Sequence, residues 1–157
     1  MPAEEVLAKL PRQGMIIDGW VVPEELSLTF AEGRQNAVDV LVGSNRDEGS
    51  FTAGFGPPMT ATSWRDGAEQ RWGDLAHLGL AAYPASNDAA AAEHNSHTFT
   101  DNMAWSMRLF AARKRGLGKR SYVYHFVHAP PYPEGVRNLG VCHACEIPYV
   151  FNYVGAP

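Results

Sequence analysis

Val38-Asp39-Val40-Leu41-Val42-Gly43-Ser44-Asn45-Arg46-Asp47-Glu48-Gly49-Ser50 is the stretch that decides how this chain folds. Residues 38 to 43 are a short, largely β-branched apolar run closed by glycine, the pattern of a strand buried on both faces of a parallel sheet. Residues 44 to 50 switch at once to polar and turn-forming types. Polar side chains just past the carboxyl end of such a strand lie where open α/β sheets bind ligands. Asp47 and Glu48 are the acids of that turn, and Phe51 comes soon after it.

A second strand is expected over Ser121-Tyr122-Val123-Tyr124-His125-Phe126-Val127-His128, stopped by Pro130-Pro131-Tyr132-Pro133 because proline cannot extend a ladder. Helices are expected between the two. Ser63 is placed to cap one through about Trp72, a short one follows from Asp74 to Ala82, and Asn87 or Asp88 caps another over the alanine run. A longer helix runs from Thr100-Asp101 to Gly116, with Met103, Met107, Leu109, Phe110 and Ala111 recurring at the spacing of a core-facing stripe. Arg113-Lys114-Arg115 then complement its C-terminal dipole.

The flanks are less regular. Pro11 to Pro23 reads as irregular chain with an extended piece at Met15-Ile16-Ile17 and a turn at Asp18-Gly19, and Pro23 to Leu26 as a brief helical start. Gly135 to His143 is a loop, and Glu146 to Phe151 a short helix with proline in its first turn. Two strands separated by helices make the fold class α/β.

Composition narrows the function. A net charge of −4, with basic residues concentrated only at 113 to 115 and 119 to 120, is too little for a nucleic-acid footprint. No stretch approaches the roughly 18 apolar residues of a membrane span, and residues 1 to 10 are too acidic for a secretory signal. A soluble protein with no membrane partner is expected, and its compartment is not legible. Four Trp, six Tyr and seven Phe suit a core or a lined cleft better than a linker.

His143 follows the second strand as Glu48 follows the first, so a parallel pairing would bring them to one edge. A histidine base needs a carboxylate to fix its tautomer and stabilise its protonated form. Residue types alone leave this open: a turn glutamate is usually solvated, and six histidines compete. Cys142-x-x-Cys145 with His125-x-x-His128 has zinc-like spacing, and His94-x-x-His97 repeats it. Residues three apart on a strand face opposite ways, however, so His125 and His128 do not converge, and neither a metal nor another cofactor is expected. A disulfide closing so short a loop stabilises little, which leaves the state of the cysteines open.

Residues 40 to 51, Val-Leu-Val-Gly-Ser-Asn-Arg-Asp-Glu-Gly-Ser-Phe, resemble the block of the type-B carboxylesterase/cholinesterase family in which a strand ends in an Asp-Glu-Gly-(Ser/Thr) turn. Residues 140 to 151, Gly-Val-Cys-His-Ala-Cys-Glu-Ile-Pro-Tyr-Val-Phe, are similar to its Gly-x-x-His-(Gly/Ala)-x-Glu-(Ile/Leu)-Pro-Tyr-Val-Phe block. Asp18-Gly19 with Pro23, Thr100-Asp101 and Tyr122 to Phe126 extend the likeness over nearly the whole chain.

The resemblance implies that Glu48 and His143 are the acid and base of a Ser-Glu-His triad acting on a small carboxylic ester, and that Phe51 lines the substrate gorge. The family's Gly-x-Ser-x-Gly elbow does not occur in this sequence. Residues 1–157 are therefore expected to be the C-terminal portion of an α/β-hydrolase domain, truncated at both ends and inactive without the remaining segments. The alternative is a catalytically silent, cholinesterase-like interaction module.

Overall fold

The computed structural model describes residues 2–5, 15–54 and 56–153. Strand β1 (Val40–Asn45) pairs in parallel with β2 (Ser121–Phe126), in a register that sets Val40 opposite Ser121 and Asn45 opposite Phe126. The helices are α1 (Leu26–Ala31), α2 (Ala61–Asp66), α3 (Ala68–Trp72), α4 (Ala76–Ala82), α5 (Asp88–Gly116) and α6 (Ile147–Val150), with 3-10 turns at Glu48–Gly54 and Gly73–Leu75. The described chain is thus mixed helix and strand around a small parallel sheet, compatible with part of an α/β fold.

The strands sit slightly off the expected bounds. At one end the Val40 N–H reaches Arg120 O while the Asp39 carboxylate holds the Arg120 N–H and guanidinium, so pairing starts after Val38-Asp39. At the other end the Arg46 N–H donates to Phe126 O and the chain then turns away, which leaves Val127 and His128 without a partner strand. The expectation of a strand buried on both faces does not hold for the chain by itself. Both strands pack on α5, but Leu41 keeps 69% of its surface, and Tyr122 and Val123 are exposed as well. Leu41 and Tyr122 are partners in the register and share the face turned away from α5, whereas Val123 lies on the α5 side.

Two helical boundaries also differ from expectation. Thr60, not Ser63, caps α2: its hydroxyl accepts the Ser63 N–H at 3.0 Å while Ser63 Oγ accepts the Thr60 N–H at 3.0 Å, a reciprocal capping box that starts the helix earlier. Gly67 then separates α2 from α3.

The two helices expected between Asn87 and Gly116 are one. Asn87 caps α5 by accepting the Ala90 N–H at 2.9 Å, and no glycine or proline interrupts its 29 residues until the closing Gly116. Thr98 and Thr100 do not break the helix because their hydroxyls donate to the carbonyls of Asn95 and Ser96 in the preceding turn. The basic run lies in the last turn, as expected, but Lys114 is buried there: its ammonium donates to Asn36 O and lies 5.2 Å from the Phe110 ring centre.

Two small cores hold these pieces. In one, Trp64 is fully buried, its indole N–H donates to Tyr83 O at 3.1 Å, and its ring meets Trp72 edge-on at 5.5 Å. The other surrounds Val141, fully buried on the turn after β1, and Ala111 of α5 is fully buried as well. The expected core stripe on α5 is borne out at Ala111 and at Phe110, which meets Phe30 of α1 at 5.2 Å, but Leu109 is exposed.

Residues 11–14 of the segment read as irregular lie outside the described residues. Met15 to Ile17 form no strand, whereas the Asp18-Gly19 turn is present, with Asp18 Oδ1 accepting the N–H groups of Trp20, Val21 and Val22.

Candidate active site

The site grows out of the end of β1. Asn45 is the last strand residue and almost fully buried. Two residues on, the Asp47 N–H donates to Val141 O at 3.0 Å and Asp47 Oδ2 accepts the Val141 N–H at 2.7 Å. This two-way grip seats the loop after β2 directly on the turn after β1. It needs glycine at 140, which has φ +65° and where a Cβ would stand 2.3 Å from Asp47 Oδ2. Burial pushes the Asp47 carboxyl up, but the Val141 N–H and the Arg46 guanidinium more than reverse this, so its pKa lies below the ordinary value.

Glu48 opens the 3-10 turn and is buried. Its Oε1 accepts the Asn45 N–H at 2.7 Å, and its Oε2 stands 2.7 Å from Nδ1 of His143. With one oxygen held by backbone, only the other faces the ring. The imidazole keeps about half its side-chain surface open, 50%, while the carboxylate keeps 5%. A buried carboxylate accepting from Nδ1 puts the imidazole proton there and leaves the Nε2 lone pair free as a base.

The third expected residue, Phe51, also comes to the pair. Its ring centre is 5.8 Å from the imidazole and meets Phe99 of α5 edge-on at 5.1 Å. Phe99 in turn lies 6.2 Å from His143. The imidazole is therefore bordered by two aromatic rings, one of which the sequence did not single out.

Four further groups brace the arrangement. Asn45 Nδ2 donates to Cys142 O at 2.8 Å and to the Glu146 carboxylate, tying the strand end to both sides of the histidine. Glu146, at the start of α6, also accepts the Tyr124 hydroxyl at 3.5 Å, so it ties the histidine loop to both strands. Burial, with the charges of Glu146 and Glu48, pushes the Tyr124 phenol up. Thr100 of α5 accepts the Gly49 N–H at 3.0 Å, and Gly49 packs so closely that a Cβ would stand 2.0 Å from Ser96 O. Asn and Thr in these places carry no signal in a single sequence, because nothing in residue type marks a strand-end staple.

The residues weighed for metal binding do not gather. Cys142 and Cys145 are joined to each other in a disulfide, His125 is exposed on β2, and the His128 ring packs on Tyr149 at 5.0 Å. Among the described residues no group of three or more His, Cys, Asp or Glu is arranged to hold a metal ion, and no helix is long and apolar enough to cross a membrane.

No protein-family profile matches the chain. Over 156 residues, 99% of this chain, it is 29% identical to the fumonisin B1 esterase of Sphingopyxis macrogoltabida. The similarity is to an esterase. The chain spans 28% of the length of that curated relative, so the likeness supports ester hydrolysis in a general sense and leaves the whole relative's activity as a matter for proposal.

Proposed function

We propose that Glu48 and His143 are the acid and base of a Ser-Glu-His triad in a carboxylic ester hydrolase of the type-B carboxylesterase kind, built on an α/β-hydrolase fold. The serine and its oxyanion donors come from polypeptide outside residues 1–157. The observation that carries this reading is the 2.7 Å contact between His143 Nδ1 and a buried Glu48 carboxylate whose other oxygen is fixed by backbone. The likeness to an esterase across 99% of the chain supports it.

In this mechanism Nε2 of His143 takes the serine proton as the hydroxyl attacks the ester carbonyl, and Glu48 stabilises the imidazolium that forms. His143 then returns the proton to the departing alcohol. Water releases the acyl group by the reverse relay. Phe51 and Phe99 offer an apolar wall to the ester beside the base. No step calls for a cofactor.

The test is steady-state hydrolysis of short p-nitrophenyl esters by the full polypeptide that carries this chain. His143→Ala and Glu48→Gln should each lower kcat by roughly three to four orders of magnitude with little change in KM. Undiminished turnover in either variant removes that residue from the triad. The silent-module reading draws on the missing Gly-x-Ser-x-Gly, and failure of a fluorophosphonate to label any serine of the full polypeptide would favour it.

A further inference from the structure

We infer that the Cys142–Cys145 disulfide, backed by Tyr132, is a clamp that holds His143 in its working position, and that its reduction uncouples the base from Glu48. The inference rests on the triad reading for its effect on activity, but not for its effect on the imidazole.

His143 and Ala144 are the two central residues of a tight turn closed by the Cys145 N–H donating to Cys142 O at 3.1 Å. The same two ends are joined covalently, with Cα atoms 5.3 Å apart. Ala144 has φ +66°, in the left-handed region that favours glycine. The Cβ at 144 therefore works against the turn that aims His143, and the disulfide across the turn opposes its opening.

Apart from the Ile147 N–H donating to Ala144 O at 3.2 Å, the hydrogen bonds that seat the loop lie outside the two central residues. Asp47 holds Val141, Asn45 holds Cys142 O and Glu146, and the described hydrogen bonds give the imidazole only Glu48 Oε2. Tyr132 closes the assembly from the other side: its hydroxyl donates to Gly140 O at 2.9 Å, and its oxygen lies 3.5 Å from Cys142 Sγ and 3.7 Å from Cys145 Sγ. Both cysteines are partly exposed, so a small reductant can reach them.

The redox step is an exchange with a dithiol. The reductant's thiolate attacks one sulfur and its second thiol resolves the mixed disulfide, leaving the reductant as a disulfide and Cys142 and Cys145 as two thiols. The loop stays seated on Asp47 and Asn45, while the turn relaxes away from left-handed Ala144. The imidazole then spends most of its time away from Glu48.

The experiment uses the full polypeptide with ¹⁵N-labelled histidine, compared before and after dithiothreitol, with thiol titration to verify reduction. In the oxidised protein the Nδ1 proton of His143, assigned by its absence in His143→Ala, should appear as a slowly exchanging downfield resonance. Reduction should remove it while the Trp64 indole resonance stays in place, and should lower kcat by about tenfold at nearly constant KM, the scale of a left-handed alanine. Reoxidation should restore both.

The Cys142→Ser/Cys145→Ser variant should behave as the reduced protein and ignore dithiothreitol, and adding Ala144→Gly should recover much of the signal and rate. If the double variant does not fold, reduction of the wild-type protein with and without Ala144→Gly gives the same answer. A Nδ1 resonance indifferent to verified reduction overturns the clamp even in an active esterase. A resonance that responds in a protein without esterase activity supports the clamp and sinks the triad reading.

Discussion

Asn45 carries more of the site than its residue type advertises. Its backbone N–H orients Glu48 and its side chain joins Cys142 O to Glu146, so it couples both loops from a buried position. Asn45→Ala strands two partly buried acceptors and should cost about 1–3 kcal/mol, seen as a lower urea midpoint at unchanged slope. Asn45→Asp should cost more, because it sets a third carboxylate against Glu146 and Glu48. Equal stability of the two variants would contradict this account. Asp47 acts on the same joint with a defined pH signature. Its folded pKa lies below the ordinary value of 3.8, so its stabilisation is fully present above that value and disappears as pH falls through the lowered folded one. Asp47→Asn should flatten this acid limb of the stability curve, and an unaltered limb would argue that Asp47 does not hold the histidine loop.

At the scale of elements, α5 is the spine. It meets both strands, supplies Thr100 to Gly49 and Phe99 to His143, and through Asp101 accepts the Tyr83 hydroxyl at 2.6 Å. That last bond, with burial and the Asp101 charge, pushes the Tyr83 phenol up to about 12. Its stabilisation is therefore complete below the ordinary value of 10.0 and is lost as pH rises through about 12. Asp101→Asn should bring the phenolate absorbance step of Tyr83 back toward 10, and a titration identical to wild type would remove Asp101 as the cause. Much of this architecture is legible in residue pattern: the apolar run of β1, the existence of β2, part of the α5 stripe and the two loops bearing Glu48 and His143 all are. Strand ends are less so, because Asp39 with Arg120 and Arg46 with Phe126 set them through partners distant in sequence. The continuity of α5 is hidden as well, since Thr100-Asp101 reads as a helix start until the Thr100 hydroxyl finds the carbonyl of Ser96 in the same helix.

On the scale of the whole molecule, the site is better finished than the fold around it. Glu48, Asn45 and Val141 are as buried as any core residue, whereas Leu41, Tyr122 and Val123 of the sheet and Trp105 of α5 present apolar surface to solvent. A two-stranded sheet is marginal by itself, and open strand edges beside apolar faces invite association. The chain spans 28% of the length of its esterase relative, which is consistent with those surfaces being interior to a larger polypeptide. Residues 1–157 produced alone should accordingly bind a hydrophobic dye and self-associate in a concentration-dependent way, and should show no acyl-enzyme burst with p-nitrophenyl esters. The longer polypeptide should do neither of the first two. Charged substitutions at Leu41 and Tyr122 separate surface from site: on the proposed reading, in which a longer polypeptide covers these side chains, they should reduce association of the short chain yet destabilise the long one. A short chain that stays monomeric and melts in one cooperative transition would mean that these faces are a natural surface, and that the two small cores around Trp64 and Val141 suffice to hold Glu48 and His143 together.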